Sequence, residues 1–291
     1  MYFRKQNAGK ATIFEKRIKM SPKYIDIHSH VNFTAFDNDR EAVIKRAFDN
    51  DTWLINVGTQ VDTSKAAIEL AHKYQEGVYA VIGLHPIHTD TSFHDKQELG
   101  DEGGEFTSRG EIFDKNIYRE LLQDEKVVAL GECGLDYFHL VKNLIEKQKK
   151  VFIEQIELAN EINKPLMLHI RDAYVDALQI LKEHAKVKGV VHFFVGNKEE
   201  AKSFLDFGFL LSFTGVITFT HDYDEVVRLT PLDMILSDTD SPYVAPVPYR
   251  GKRNEPSYVK EIVKKIAEIK NLPEEKVSKA IVANARRIFR I

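Results

Sequence analysis

The sequence predicts an α/β fold in which eight parallel strands close into a barrel, and three observations support this prediction. Short apolar runs alternate with amphipathic stretches eight times along the 291-residue chain. The apolar runs show little polar–apolar alternation, which is typical of parallel strands covered on both faces. A single (β/α)8 TIM barrel accommodates this length as one domain. A doubly wound open sheet is the alternative, but no glycine-rich dinucleotide fingerprint follows the first predicted strand.

The elements are predicted from the spacing of apolar residues, which is continuous in the strands and three or four residues in the helices. The strands are expected at residues 24–27, 53–57, 78–82, 127–130, 165–168, 190–192, 209–212 and 234–236. The helices are expected at residues 39–51, 64–74, 146–162, 173–184, 199–207, 223–229, 256–269 and 274–288.

Two segments interrupt this alternation. Residues 1–19 are basic and poorly periodic, so we expect residues 1–20 to form a mobile N-terminal extension, or a basic arm that contacts an anion, before a domain at 21–291. Residues 89–116 are polar and rich in glycine, which predicts an inserted loop after the third strand. Because loops after barrel strands surround the active site, this insertion is either a mobile surface loop or a lid.

Composition and charge narrow the expected location and partners. The net charge of −3 carries no overall basic signature, so any nucleic-acid binding must be local. Cys133 is the only cysteine. We therefore expect no intrachain disulfide, no disulfide-linked partner and a reducing, cytoplasmic location. The sequence shows no signal-peptide core or transmembrane span, so no membrane partner is expected.

Polar side chains that can bind metals follow five of the predicted strands. His28 and His30 end the first strand, and residues two apart in a strand point the same way, so they form a chelating pair. Four further donors stand at the C-terminal ends of the fourth, fifth, sixth and eighth strands: Glu132, His169, His192 and Asp240. These ends converge at one mouth of a barrel. Because such a concentration of imidazoles and carboxylates is costly unless paired or metal-bound, the sequence predicts a metal site.

The six donors also indicate the chemistry of the site. Nitrogen and oxygen donors without thiolates suit Zn, Mn, Co, Ni or Mg. Six donors exceed the needs of one tetrahedral ion and fit two divalent ions bridged by a carboxylate, for which Glu132 is the natural candidate. Two such ions can clamp a phosphoryl group and activate a water molecule, and Asp240 could accept the proton of that water.

Seven motifs in order resemble the TatD family of metal-dependent deoxyribonucleases, which belongs to the amidohydrolase-like barrels. They are IDIHSH at 25–30, GLHP at 83–86, GECGLDY at 131–137, HIRDA at 169–173, HFFVG at 192–196, DTDSPY at 238–243 and RGKRNEP at 250–256. The resemblance implies a TIM barrel that hydrolyses DNA phosphodiester bonds, often as an exonuclease on single strands. It implies one metal held by His28, His30, Glu132 and Asp240, and a second held by Glu132, His169 and His192. The metals would be Mg, Mn or Zn.

Three features depart from the family pattern. Asp238 stands where the family usually has glutamate, and its side chain is one methylene shorter, so a water or ligand that it orients could be misplaced. The sixth-strand motif reads His-Phe-Phe rather than His-Cys-Phe, which leaves the ligand His192 intact. The insertion after the third strand is longer than expected, which affects substrate access rather than metal binding.

Four residues near the predicted mouth are candidates for substrate binding. His85 could contact a phosphate or leaving group, or hold a tight loop. Arg171 could grip a phosphate in a bidentate manner, or pair with a neighbouring acid such as Asp172. Arg250 and Lys252, with Arg253 beside them, could neutralise a nucleic-acid backbone or form a solvated loop.

Aromatic residues follow the same strand ends and could stack on nucleobases, although core packing is the commoner role. They are Tyr137, Phe138, Phe193 and Tyr243.

The sequence therefore predicts a metal-dependent hydrolase that acts on an ester bond, a deoxyribonuclease of the TatD type whose partner is single-stranded DNA. Two alternatives keep the same barrel, because a fold does not specify its substrate. One is an amide or ester hydrolase, for instance an aminoacyl-tRNA deacylase. The other is a non-catalytic metal-binding protein in which Asp238 marks the loss of activity.

Overall fold

The computed structural model describes residues 21–94, 106–138 and 142–291. Its main sheet has eight parallel strands in the order β1-β2-β3-β6-β7-β8-β9-β10. These strands are β1 Tyr24–Ser29, β2 Thr52–Val57, β3 Val78–Ile82, β6 Val127–Asp136, β7 Leu166–Arg171, β8 Gly189–Val191, β9 Leu210–Phe213 and β10 Ile235–Ser237. The predicted eight-stranded α/β barrel is confirmed.

Helices separate the strands and cover the outside of the sheet. They are α1 Arg40–Asp49, α2 Val61–His72, α3 Lys115–Leu121, α4 Lys142–Ile162, α5 Tyr174–His184, α6 Lys198–Asp206, α7 Asp224–Leu229, α8 Val259–Lys270 and α9 Glu274–Phe289. Helix α3 was not predicted; its first turn is capped by Asp114, whose side chain accepts from the amides of Asn116 and Ile117. The last predicted strand–helix junction also differs, because Pro256–Tyr258 form a 3-10 turn before α8 begins.

The first and last strands of the sheet meet and nearly close the barrel. Ser29 and Ser241 form a parallel bridge just beyond the ends of β1 and β10. The Asp240 amide donates to the carbonyl of His28 at 2.9 Å, and the His30 amide donates to the carbonyl of Ser241 at 2.8 Å. The closure therefore brings the His28–His30 pair next to Asp240.

Burial explains why the strands read as continuous apolar runs. Every residue of β1 and every residue of β6 is buried, because one face lines the barrel interior and the other lies under helices. Helix α8 buries Ile262, Val263 and Ile266 beneath this layer. The strands lack polar–apolar alternation because both of their faces are buried, as the sequence predicted.

The segment after β3 contains more structure than the predicted inserted loop at 89–116. Strand β4 Ser92–His94 pairs antiparallel with β5 Phe106–Ser108, and α3 begins at the end of the segment. Residues 95–105 and the predicted N-terminal extension at 1–20 lie outside the described residues. Within the described ranges, no helix has the length and apolar character needed to cross a membrane.

Candidate metal centre

The six predicted donors converge at the mouth, which we define as the end of the barrel formed by the C-termini of its strands. We call this set the donor cluster: His28, His30, Glu132, His169, His192 and Asp240. His28 and His192 stack in parallel, with ring centres 3.8 Å apart. Ligand atoms of the cluster and of His85 fall into groups that could each hold a metal ion, and Glu132 belongs to two of them, with His28 and His30 and with His85 and His169.

The hydrogen bonds of the first histidine pair prepare both rings for metal binding. His30 Nδ1 lies 2.9 Å from the carbonyl oxygen of Val57, and a carbonyl only accepts, so Nδ1 carries the proton. His28 Nδ1 lies 3.0 Å from Met167 Sδ, another acceptor. The two Nε2 atoms lie 3.2 Å apart. Burial lowers the pKa of His30, but the hydrogen bond to Asp240 outweighs burial and raises it, so a cation between these nitrogens would take the place of the His30 Nε2 proton.

Two carboxylates complete the surroundings of this pair. Asp240 Oδ1 lies 3.7 Å from His28 Nε2 and 3.4 Å from His30 Nε2. Glu132 Oε2 lies 3.4 Å and 4.0 Å from the same two nitrogens. Ligands about 2.1 Å from one tetrahedral ion are separated by about 3.4 Å. His28, His30 and Glu132 form one group that could hold a metal ion, and Asp240 forms another with His28 and His192.

The other oxygen of Glu132 faces a second group of donors. Glu132 Oε1 lies 2.8 Å from His192 Nε2 and 3.0 Å from His169 Nδ1. His85 Nε2 lies 3.3 Å from the same oxygen. Glu132 thus presents one oxygen to each side of the cluster.

Burial and charge set the protonation of the cluster. Burial, together with the neighbouring His192, lowers the pKa of His28 to about 3, so His28 is neutral at physiological pH and can act as a ligand. Burial alone would raise the pKa of Glu132. Interactions with His85 and His192 and the hydrogen bond from His169 outweigh that effect and hold the pKa of Glu132 well below its ordinary value. The carboxylate is therefore ionised.

Comparison with known proteins identifies the family of the chain. A family model described as "TatD related DNase" matches residues 25–290. The chain belongs to the TatD family. The "Uncharacterized metal-dependent hydrolase YabD" of Bacillus subtilis (strain 168) is 40% identical over 271 residues, which cover 91% of this chain and 98% of the relative.

Solved structures of the TatD family share the same barrel. The structure of YJJV, a TatD homolog from Escherichia coli K12, matches with a TM-score of 0.79 at 27% identity and covers 94% of this chain and 100% of that one. A TatD family hydrolase from Entamoeba histolytica matches with a TM-score of 0.77 at 24% identity, over 93% and 99% of the two chains. This TatD family member is a metal-dependent hydrolase.

Asp136 is a member of the site that the sequence analysis did not assign. Its Oδ2 lies 2.9 Å from His169 Nε2, whereas His169 Nδ1 faces Glu132. The carboxylate can only accept here, so it holds a proton on Nε2 and fixes the orientation of the ring, with Nδ1 directed at Glu132. Burial lowers the pKa of His169, but hydrogen bonds to Asp136 and Glu132 raise it to about 10. The even spacing of Glu132 and Asp136 on one strand was a usable signal, because such residues share a face.

Strand β6 was predicted to end at residue 130. It continues six residues further, to Asp136, and therefore carries both Glu132 and Asp136. Its close approach to β7 depends on Gly134, whose φ is +142°. A Cβ at this position would lie 2.0 Å from the carbonyl oxygen of His169. Only glycine allows β6 to carry Glu132 and Asp136 alongside His169.

Phe33 is a second contact that the sequence analysis missed. Its ring stacks on His30 with centres 4.4 Å apart and an angle of 19° between planes. Phe33 lies in the loop after β1, where no periodicity distinguishes it. The ring packs against the imidazole and supports the orientation that His30 Nδ1 also maintains through Val57.

Asp238, at the position where the family resemblance leads us to expect glutamate, is buried beside the donor cluster. Its Oδ2 accepts from the Ser212 hydroxyl and from the amide of Phe193 at 3.4 Å. Its Oδ1 has no hydrogen-bond partner among the described residues. Burial raises the pKa of Asp238 to about 6. The expectation that the shorter side chain of Asp238 misplaces a water or ligand that it orients stays a prediction.

The predicted substrate-binding residues have different surroundings. His85 joins the cluster edge: its Nδ1 accepts from the amide of Ile87 at 3.2 Å, so Nε2 carries the proton toward Glu132. The Arg171 guanidinium lies 3.5 Å from the ring centre of Phe138. Arg250 lies over Phe219 at 4.2 Å and donates to the carbonyl of Ala245.

The remaining basic residues of this region lie on the same loop. Lys252 is exposed. Arg253 donates to Asp39 and to the carbonyl of Ala35, each at 2.7 Å, so it holds the loop against the first βα connection.

The predicted stacking aromatics are partly buried. Tyr137 donates its hydroxyl to Asp176 at 2.8 Å. Tyr243 and Phe193 pack at the edge of the donor cluster, with ring centres 6.4 Å from those of His30 and His192 respectively. Nucleobase stacking on Tyr137, Phe138, Phe193 or Tyr243 stays a prediction.

Proposed function

We propose that this TatD family hydrolase cleaves phosphodiester bonds of single-stranded DNA as an exonuclease, using two divalent cations such as Mg, Mn or Zn. The observation that supports it is the position of Glu132, which turns Oε2 toward His28 and His30 and Oε1 toward His169 and His192. A buried carboxylate between two sets of imidazoles suits a pair of ions that share one ligand. The cytoplasmic location stays a prediction from cysteine usage.

The donor cluster divides into two ligand sets around that carboxylate. His28, His30, Glu132 and Asp240 would hold one cation, and Glu132, His169 and His192 the other. When bound, the two cations would polarise the phosphoryl group and supply a nucleophile from water near neutral pH. His85 projects a protonated Nε2 toward Glu132 in the absence of a cation, and we assign it to contact with a phosphate oxygen rather than with a cation.

Asp240 is placed to accept a proton from the attacking water. It has 15% of its side chain exposed, compared with 0% for His28 and 4% for Glu132, so it borders the open part of the mouth. Burial raises its pKa, but the hydrogen bond to His30 and the charges of the nearby imidazoles keep that pKa below its ordinary value. The carboxylate is ionised before reaction and available as a base.

We call the surface around the opening of the mouth the rim, and define it by Arg171, Phe219, Val247, Arg250 and Lys252. The three basic residues of the rim would supply the positive charge that attracts the DNA backbone. The net charge of the chain is −3, so attraction to phosphates depends on this local group rather than on the whole surface. Arg171 and Lys252 are assigned to phosphate contacts in this proposal.

A labelled single-strand digest tests the function directly. Wild-type protein loaded with Mg, Mn or Zn should shorten an end-labelled oligonucleotide. Asp240→Asn should reduce the rate at least about 100-fold, because the base and an anionic ligand are both lost. Glu275→Gln, at the opposite end of the barrel, is the matched control and should retain wild-type activity. Cleavage of an aminoacyl ester without cleavage of any DNA would replace this proposal with the esterase alternative.

A further inference from the structure

The rim contains two exposed apolar side chains that no step above uses. Phe219 is 45% exposed and Val247 is 46% exposed, whereas most large apolar residues of the described chain are buried. Phe219 follows the 3-10 helix Gly215–Thr218 at the C-terminal end of β9. Val247 lies on the loop after Asp240, and its amide donates to Thr218 Oγ1 at 2.9 Å, which joins the two loops. Neighbouring exposed apolar groups beside an active site indicate a binding surface.

Arg250 gives this apolar surface a positive charge. Its guanidinium lies 4.2 Å from the ring centre of Phe219, and its NH1 donates to the carbonyl of Ala245 at 2.9 Å. Arg250 is itself exposed. The stacked guanidinium is held in one orientation, so it can contact a ligand with less loss of side-chain entropy than a free arginine.

The loop that carries Val247 and Arg250 is anchored to the donor cluster. The buried side chain of Asn254 donates to the carbonyls of Thr239 and Tyr243, at 2.8 Å and 2.7 Å. Thr239 immediately precedes Asp240. A ligand on this part of the rim is therefore held in a defined position relative to Asp240.

We propose that Phe219, Val247 and Arg250 form a stacking site for an unpaired nucleobase of the DNA strand whose phosphate lies at the donor cluster. The proposal rests on the phosphodiesterase function given above and adds the feature that recognises a single strand. An aromatic face, an aliphatic side chain and a guanidinium plane all suit the π-face of a base. A base inside a duplex is stacked on its neighbours, so only an unpaired or end base can present its face.

A second arginine–phenylalanine pair lies elsewhere around the mouth. Arg171 at the end of β7 covers Phe138, which follows β6. In the sheet order, β8 separates this pair from the loops that follow β9 and β10. The two pairs thus lie at different positions around the mouth.

Steady-state kinetics on two single strands separate base recognition from backbone recognition. The first substrate carries normal bases, and the second has the same backbone with abasic sites at its end. Phe219→Ala should raise KM about 5- to 100-fold on the normal strand with kcat changed less than about twofold. Wild type and Phe219→Ala should share one KM on the abasic strand, and Phe219→Trp should restore the wild-type KM on the normal strand.

Phe207→Ala is the matched control, because Lys188 covers Phe207 at 3.4 Å in a similar cation–π pair at the opposite end of the barrel. It should leave both KM values unchanged. Equal KM values for wild type and Phe219→Ala on the normal strand would overturn the stacking site alone. A wild-type protein that cleaves neither strand would overturn the phosphodiesterase function and the stacking site together.

Discussion

The donor cluster and the rim are adjacent regions of one mouth, but they are built differently. In the donor cluster, His28, His30, Glu132 and His192 are almost fully buried and contact one another. On the rim, Phe219, Val247, Arg250 and Lys252 are exposed. The first region is suited to hold ions and perform chemistry, and the second to select a substrate. Substitutions in the cluster should therefore abolish turnover, whereas those on the rim should change which strand is bound and how tightly.

The strongest test of this difference is Glu132→Gln. The substitution removes the charge that faces both ligand sets, so neither cation is held tightly. We expect the rate of metal-dependent cleavage to fall at least about 1,000-fold. This loss equals or exceeds the loss of rate when one group that stabilises a transition state is removed. Metal content after dialysis should fall from two ions per chain toward zero while circular dichroism stays native. Retention of two ions by the variant would contradict the bridging role of Glu132.

A smaller effect is expected at Asp136, which acts through His169. Asp136→Asn keeps a hydrogen-bonding side chain but loses the charge, so it orients the His169 ring less firmly and weakens its Nδ1 as a ligand. Loss of such a partner costs about 10- to 100-fold in metal affinity. Calorimetric titration of the metal-free protein with Zn should show one site weakened and the other nearly unchanged.

Asp176→Asn is a suitable control for this prediction. Asp176 is another carboxylate at the mouth, but it pairs with Tyr137 and Lys149 rather than with a histidine of the donor cluster. Its substitution should leave both metal affinities intact. Equal weakening of the two sites in Asp136→Asn would indicate that the whole cluster had been disturbed rather than His169 alone.

The smallest effect is expected on the rim, at Lys252. Its exposed ammonium can contribute one screened phosphate contact, so Lys252→Ala should raise KM only a few-fold at low salt, with kcat unchanged. The slope of log K against log salt should decrease by about one for the variant. Lys279→Ala, which removes an exposed lysine from α9, provides the reference. A loss of kcat in Lys252→Ala would show that the rim and the cluster are not separable.

Much of the barrel and of the donor cluster could be predicted, because both depend on local patterns. Each barrel strand is an apolar run, and His28, His30 and Asp240 lie just at or after the end of such a run. The ends of parallel strands converge in a barrel regardless of which residues they carry. The structure places these predicted donors within one group of contacts.

The parts that escaped prediction depend on contacts between distant segments. Asp136 could be assigned only once β6 was known to continue past Glu132, beside β7. Phe33 meets His30 through the path of a loop that carries no periodicity. The stacking of Arg171 on Phe138 and of Arg250 on Phe219 also joins segments that are far apart in the sequence.

The sequence by itself determined the barrel and which six predicted donors meet at its mouth, because strand periodicity and the position of a residue at a strand end are local properties. Only the tertiary structure decided which oxygen of Glu132 faces which histidine, which nitrogen of His169 faces Asp136, and which aromatic ring receives Arg250. Those arrangements arise from side chains far apart in the chain, whose distances depend on how the strands register and how the loops pack.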